Sequence, residues 1–231
     1  AFPSSMFYQN LLINGLNDDN DRSFKGKPNI EAFPWPNPNC PILFWNVFAI
    51  ESTYESASSY TNQIEVACIA KILSKMYHNG IQATDIGIIT PYAGQQTFLI
   101  EALPHLLPDV EDQEFVDHLE ISSVDSFQGR EKNFIIVSCV RANKSYDIGF
   151  LKDQKRLNVS LTRAKYGLII VGNAETFAKN SCWCKLIESY MELNAFVEGE
   201  TIEDFKPSTF TSLISPDEDD DDNDDDTDGI H

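Results

Sequence analysis

The sequence predicts an α/β fold in which helices cover both faces of a mostly parallel sheet. Five short apolar runs alternate with helical patterns along the 231 residues. Each run is apolar throughout, as strands buried on both faces are, and helical crossovers between such strands give a parallel sheet. A chain of this length can also bury a substantial core.

The apolar runs define the expected strands. Their lengths suit single strands, and the run at 133–139 is strongly β-branched, which favours a strand over a helix. We expect strands at 42–49, 86–90, 119–124, 133–139 and 167–172, and a further edge strand at 196–197.

Helical patterns fill the intervals between the strands. Asn62 and Glu65 have the spacing of a capping pair at the start of the first helix. Apolar residues then recur every fourth position until Asn79-Gly80, at Ile64, Cys68, Ile72 and Met76. Further helices are expected at 95–103, 154–165 and 184–194. Loops are expected at 56–60 and 108–118, and the proline-rich segment 2–40 is expected to be extended chain anchored by Phe33 and Trp35.

The net charge of −19 at pH 7 is distributed unevenly. Residues 217–228 hold ten of the 36 acidic residues and no base, so we expect a disordered acidic tail at 206–231. Residues 121–185 hold eleven of the 17 Lys and Arg and only five acids. That part of the fold can therefore accept an anionic ligand.

Cysteine usage and hydropathy exclude several classes of protein. The five cysteines are an odd number without a CxxC pair, which argues against a disulfide framework and a zinc site. We expect no metal ligands in this chain. No stretch approaches the roughly 18 apolar residues of a membrane helix, so no membrane partner is expected. The chain begins without Met, and we interpret it as part of a longer protein.

Three segments concentrate polar side chains, and ligands of open parallel sheets collect at the carboxyl ends of strands. The segments are ITPYAGQ at 89–95, SSVDSFQGREK at 122–132 and RLNVSLTRAK at 156–165. Taken singly, each has a structural explanation. Pro91 and Gly94 can simply shape a turn, Arg130 and Glu131 can form a surface pair, and the third segment can be an amphipathic helix with two snorkelling bases.

Taken together and in this order, the three segments resemble motifs IV, V and VI of superfamily 1 RNA helicases of the up-frameshift type, the regulators of nonsense transcripts. The resemblance extends over about residues 2–205 and includes SCVRAN at 138–143 and YGLIIVGN at 166–173. It implies a RecA-like fold and places residues 1–205 as the second of two RecA-like domains. It further implies an ATP-dependent 5′-to-3′ RNA helicase of nonsense-mediated mRNA decay, acting in the cytoplasm, with nuclear shuttling left open.

The resemblance assigns roles to individual residues. Arg163 would be the catalytic arginine finger that reaches the γ-phosphate. ATP would also be bound by three residues of motif V: Gly129, Arg130 and Glu131. Arg130 could instead brace Glu131. Single-stranded RNA would be contacted by Thr90, Tyr92, Ser123, Asp125 and Gln128. Gln95 would orient the Thr90 loop, whereas Asn62 and Glu65 are explained equally well by a family pattern and by a helix cap.

No G-x-x-x-x-G-K-[ST] loop occurs in the chain, since Gly26-Lys27 is followed by Pro28. In helicases of this type the first RecA-like domain supplies that loop, and ATP and Mg²⁺ are bound with it. We therefore expect the isolated chain to be inactive, and its partners to be the first RecA-like domain, single-stranded RNA and decay-factor proteins.

Two alternatives remain open from the residues. Contacts that do not read bases cannot separate an RNA helicase from a DNA or RNA/DNA helicase of the same branch, the immunoglobulin-mu-binding type. The chain could also be a non-enzymatic, helicase-like scaffold that binds protein partners through its acidic tail.

Overall fold

A computed structural model describes residues 33–54, 59–110 and 113–207. Most of the expected extended segment and nearly all of the expected acidic tail lie outside these residues. Phe33 and Trp35 are buried, as expected for anchors of the N-terminal segment. Within the described ranges, no helix combines the length and the apolar character needed to cross a membrane.

Nine strands are formed within the described residues. In chain order they are β1 (Ile42–Asn46), β2 (Ser52–Tyr54), β3 (Ser59–Thr61), β4 (Ile86–Ile89), β5 (Glu120–Ser122), β6 (Lys132–Ser138), β7 (Ala164–Gly172), β8 (Phe196–Glu198) and β9 (Lys206–Pro207). Seven of them make one sheet in the order β5-β4-β6-β7-β1-β8-β9, and β2 and β3 form a separate antiparallel pair. Every neighbouring pair in the large sheet is parallel except β8 with β9. The predicted mostly parallel sheet is confirmed.

Six α-helices connect and cover the strands within the described residues. They are α1 (Gln63–His78), α2 (Ala93–Leu106), α3 (Gln113–Asp117), α4 (Gln154–Leu161), α5 (Ala174–Phe177) and α6 (Ser181–Glu192). Short 3₁₀ turns occupy Ala83–Asp85, Asp125–Phe127 and Gly149–Lys152.

Hydrophobic cores lie on both faces of the sheet, because successive side chains of a strand point to opposite faces. In β6, Phe134 and Ile136 join the core under α1 and α2, whereas Ile135 and Val137 join the core under α4 and α6. All four side chains are buried. Helices on both faces of the sheet are therefore confirmed, as the continuous apolar runs predicted.

Helix α1 begins at the predicted cap but uses it differently. The Asn62 side chain accepts the Glu65 N–H at 3.2 Å. The Asn62 N–H is not taken by Glu65; it donates to Gln95 Oε1 at 2.8 Å. Ile64 is 50% exposed and does not belong to the buried face of the helix, which begins with Glu65 and Val66. Glu65 instead occupies the buried face of the helix.

Several boundaries differ from the sequence prediction. Strand β3 lies partly in the expected 56–60 loop, helix α3 lies in the expected 108–118 loop, and β8 is not an edge strand because β9 pairs with it. Helix α4 stops at Leu161 instead of continuing to residue 165, since Ala164 is already paired with Lys132 of β6. Strand pairing uses the backbone groups that a longer helix would need. Strand β9 ends two residues beyond the expected domain boundary at 205.

Candidate functional site

The predicted site residues separate into two groups at opposite ends of the parallel strands. Thr90 and Ser123 follow β4 and β5 and lie at the carboxyl end of the sheet. Gly129–Glu131 and Arg163 precede β6 and β7 and lie at the amino end. The expectation that the chemistry collects at the carboxyl ends of strands therefore holds for the RNA group only. The residues predicted to bind ATP come directly before strands and not after them.

The loop 123–131 of motif V runs from one end of the sheet to the other. Its middle is fixed by Phe127, which is fully buried on the face covered by α4. Gly87 makes room for this ring, since a Cβ at that position would lie 2.6 Å from Phe127 Cζ. Beyond the ring, Gln128 is exposed and Gly129 has φ +82°, a left-handed conformation that suits glycine. One loop thus connects both groups.

At the amino end, Arg163 is held by backbone and hydroxyl oxygens. Its Nη1 donates to the Arg130 carbonyl at 3.3 Å, Nε to the Val159 carbonyl at 3.1 Å, and Nη2 to Thr162 Oγ1 at 3.0 Å. The Arg163 carbonyl accepts the Lys132 N–H at 3.1 Å, which ties motif VI to motif V. Within the described residues, no carboxylate forms an ion pair with Arg163. Its positive charge is therefore not compensated by an acidic side chain.

Arg130 does not pair with Glu131, so neither the local surface pair nor the bracing role expected from the sequence is supported. Its guanidinium forms an ion pair with Glu120, lies 4.9 Å from the centre of the Phe127 ring, and donates from Nε to the Ser126 carbonyl at 2.9 Å. Glu131 is exposed. The ATP-binding roles of these residues stay predictions.

At the carboxyl end, Asp125 forms a two-point ion pair with Arg156 in the first turn of α4. Arg156 Nε donates to one carboxylate oxygen at 3.2 Å and Nη2 to the other at 3.0 Å. Hydrogen bonding to Asp125 raises the pKa of Arg156. The Ser123 hydroxyl donates to Ser126 Oγ at 3.0 Å. Both Ser123 and Asp125 reach the surface, where RNA could contact them.

Thr90 and Tyr92 are placed differently from Ser123 and Asp125. Thr90 is fully buried, and its hydroxyl has no hydrogen-bond partner within the described structure. Tyr92 is 4% exposed, with its ring against Tyr60 and Phe150 at centroid distances of 5.6 and 5.8 Å. Their RNA contacts stay predictions, which the burial of both side chains disfavours in this conformation.

A buried polar network supports the carboxyl end from below. The fully buried Glu65 carboxylate accepts the Val140 N–H at 2.9 Å and the Ser138 hydroxyl at 2.6 Å. Gln95 donates to Ser138 Oγ at 2.9 Å, and Asn62 donates to the Val140 carbonyl at 3.1 Å. Burial raises the pKa of Glu65 to about 8, although the hydrogen bonds act in the opposite direction. Gln95 thus braces this network and not the Thr90 hydroxyl.

This network holds a strained turn. Val140 has φ +70°, which is unfavourable for a β-branched residue. The next residue, Arg141, is buried between Glu51 and Asp147, with nitrogen–oxygen distances of 3.0 Å to each. The Arg141 guanidinium also lies 4.3 Å from the centre of the Tyr60 ring. Sequence reasoning gave Arg141 no role; the available signal was an arginine directly after an apolar strand.

Comparison with known proteins identifies the family to which this chain is similar. A family model described as AAA domain matches residues 1–175. The ATP-dependent helicase NAM7 of Saccharomyces cerevisiae is 40% identical over 215 residues, which cover 93% of this chain and 21% of that protein. Regulator of nonsense transcripts 1 of Caenorhabditis elegans is 42% identical over 206 residues, covering 89% of this chain and 18% of that protein. The chain therefore spans about a fifth of the length of these curated relatives.

Proposed function

Because the chain belongs to the AAA domain family, we propose that residues 1–205 are the second RecA-like domain of an ATP-dependent RNA helicase. The resemblance to helicases of the up-frameshift type is confirmed over most of the chain. The helicase would act 5′ to 3′ in nonsense-mediated mRNA decay, in the cytoplasm. Its partners would be single-stranded RNA, the first RecA-like domain and decay-factor proteins.

The observation that carries this proposal is the position of Arg163. Motif VI and motif V are 33 residues apart at Arg163 and Arg130, yet they are joined by a direct hydrogen bond at the amino end of the sheet. A half-buried guanidinium that binds only neutral oxygens retains its full charge for an anionic ligand. A scaffold protein would have no use for such an arrangement.

The amino end fits the phosphates of ATP in its chemistry. The guanidinium of Arg163 is forked and permanently charged, so it can stabilise negative charge that develops on a transferred phosphoryl group. ATP would be bound between this domain and the first RecA-like domain, together with Mg²⁺. The bond that is hydrolysed would be the one to its γ-phosphate. Gly129 lets the backbone of motif V approach closely, because nothing lies within 4 Å of its Cβ position.

Motif V is the element that would couple ATP to RNA. Its loop begins at Ser123, beside the proposed RNA path, and ends at Glu131, beside the proposed ATP site. Both halves of the loop are joined at Phe127 in the core, so a shift of this packed ring would move the two halves together. RNA would be gripped through hydroxyl and amide groups that do not read bases.

Replacing Arg163 in the full-length protein tests the proposal. Arg163→Ala should lower RNA-stimulated ATP turnover by about 10³-fold or more, because a lost arginine finger has effects of that size. Arg163→Lys should rescue poorly, since an ammonium lacks the planar fork. The matched control is Lys165→Ala, which removes an exposed cation two residues away.

Turnover, RNA affinity without nucleotide and melting temperature are measured on the same preparations. Near wild-type turnover of a folded Arg163→Ala protein would refute the finger assignment. The 231-residue chain by itself should show no ATP turnover, because its sequence has no phosphate-binding loop.

A further inference from the structure

Phe150 is an exposed aromatic residue in a position that the structure fixes firmly. Its side chain is 56% exposed, while its neighbours Ile148 and Leu151 are buried. The ring lies 5.8 Å from the ring of Tyr92, and the guanidinium of Arg156 lies 5.6 Å from its centre. Tyr92 is itself buried against Tyr60, so the support beneath the exposed ring is rigid.

The backbone beneath Phe150 is equally constrained. Gly149 has φ +53°, and a Cβ there would lie 2.5 Å from Arg141 Nη1 and 2.6 Å from the Tyr92 hydroxyl oxygen. Only glycine therefore lets this 3₁₀ turn pack against the buried Arg141. The turn, and Phe150 with it, is positioned by the carboxyl-end core and not by chance surface packing.

A small cavity of about 90 Å³ opens beside the ring. Its lining comes from the segments after β4 and β5, from the 3₁₀ turn Gly149–Lys152 and from the first turn of α4: Pro91, Ser123, Val124, Asp125, Phe150 and Arg156. Two of these six residues are among the RNA contacts that the motifs imply. Phe150 thus shares one surface with motif V.

The charges around the ring suit a polyanion whose bases are exposed. Lys152 and Lys155 follow Phe150 closely in the chain and are exposed, and no ion pair of either is found within the described residues, although Lys152 contributes to the lowered pKa of Asp147. Arg156 is compensated by Asp125, so it supports the ring more than it attracts phosphate. An aromatic face beside free ammonium groups is the combination that binds single-stranded nucleic acid, with stacking for the base and charge for the backbone.

We propose that Phe150 is a stacking platform for one nucleobase of a single strand that crosses the carboxyl end of the sheet, with Lys152 and Lys155 meeting the adjacent phosphates. The proposal rests on the RNA-binding function proposed above and adds a contact outside the three motifs. Stacking is tolerant of sequence, because every base has a π-face. The platform would bind a base by stacking and would make no hydrogen bonds to its edge, so binding would not depend on the base sequence.

Two probes separate stacking from backbone contact. A fluorescently labelled 12-residue oligouridine carries bases, and a ribose-phosphate oligomer of the same length without bases carries only the backbone. Binding of both to the full-length protein is measured without nucleotide for four proteins: wild type, Phe150→Ala, Phe150→Trp and Phe48→Ala. Phe48 is a matched control, since it is 65% exposed after β1, three strands away from β4.

Phe150→Ala should weaken oligouridine binding about tenfold and leave binding of the base-free oligomer unchanged. Phe150→Trp should bind oligouridine at least as tightly as wild type, and Phe48→Ala should match wild type. Melting temperatures verify that each variant is folded. If a partner protein and not RNA covers the ring, Phe150→Ala will bind oligouridine as tightly as wild type, and the inference is overturned while the proposed function stands.

Equal losses for Phe150→Ala and Phe48→Ala, or equal losses for both probes, would also overturn the platform. A wild-type protein that binds neither probe would overturn the proposed RNA-binding function itself. The two failures are therefore distinguishable.

Discussion

The two ends of the sheet carry ion pairs and hydrogen bonds of different kinds. At the carboxyl end, Arg141 and Glu65 are buried and bonded to several partners beneath the surface. At the amino end, Arg130 and Glu120 pair near solvent, and Arg163 donates hydrogen bonds to two backbone carbonyls and the Thr162 hydroxyl. The comparison teaches that the carboxyl end contains buried charges, those of Arg141 and Glu65, whose partners lie within the protein and preorganise it. At the amino end, the positive charge of Arg163 is not paired with any carboxylate of the described residues.

The largest stability effect should come from the carboxyl end. Arg141→Ala leaves the largely buried Glu51 carboxylate without its ion pair, and removing one partner of a buried pair costs about 3–5 kcal/mol. Urea unfolding of the 231-residue chain measures the loss. The double variant Glu51→Gln/Arg141→Met should regain part of it, because the uncompensated charge is then removed. A single-variant loss below about 1 kcal/mol would contradict the view that this end is held by buried charge.

An intermediate effect is expected from Glu65, and it depends on pH. The folded-state pKa of about 8 lies above the ordinary value of 4.5, so the folded protein binds the proton more tightly than the unfolded chain. This stabilisation is complete below about pH 4.5 and is lost as pH rises through 8. Relative to Glu65→Gln, the wild-type chain should therefore lose unfolding free energy steadily between pH 5 and 8, on the order of 1 kcal/mol per pH unit.

The difference between the wild-type and Glu65→Gln unfolding free energies is followed by denaturant unfolding at several pH values. Subtracting the variant removes the titration of the other carboxylates and histidines. A difference that stays constant from pH 5 to 8 would show that Glu65 titrates normally and that the network is not sealed from water.

The smallest effect should come from the amino end. Arg130→Ala breaks an ion pair whose arginine side chain is about half exposed, and pairs of this kind contribute about 1 kcal/mol or less. The loss should shrink further in 1 M salt, where charges near the surface are screened. Urea unfolding at low and high salt tests this. A loss as large as that of Arg141→Ala would erase the distinction between the two ends.

Much of the fold followed from local sequence patterns. The apolar runs predicted the strands of the parallel sheet because continuous burial requires apolar residues at successive positions. The ends of the helices and strands, and their places in the sheet, could not be predicted as well. Helix α4 ends at Leu161 because β7 pairs with β6, and β8 is internal because β9 adds to it. Such pairings join segments that are distant in sequence, so no local pattern reports them.

The candidate site divides in the same way. Arg163 and the Gly129–Glu131 segment were proposed from the resemblance of three ordered motifs to a helicase family, and their roles stay predictions. The burial of individual side chains could not be predicted from the sequence. Thr90 and Tyr92 follow a strand as Ser123 does, yet they are buried. Phe150 was missed because an exposed aromatic differs from a core aromatic only in its neighbours.

The sequence by itself determined the parallel α/β sheet, the uneven charge and the resemblance to a helicase family on which the proposed site residues rest. Tertiary structure alone decided where those residues face. The Asn62–Glu65 spacing predicts a local cap, but Glu65 binds Ser138 and Val140 instead, 73 and 75 residues away. A buried carboxylate requires hydrogen-bond donors, and only the folded chain brings those donors within reach.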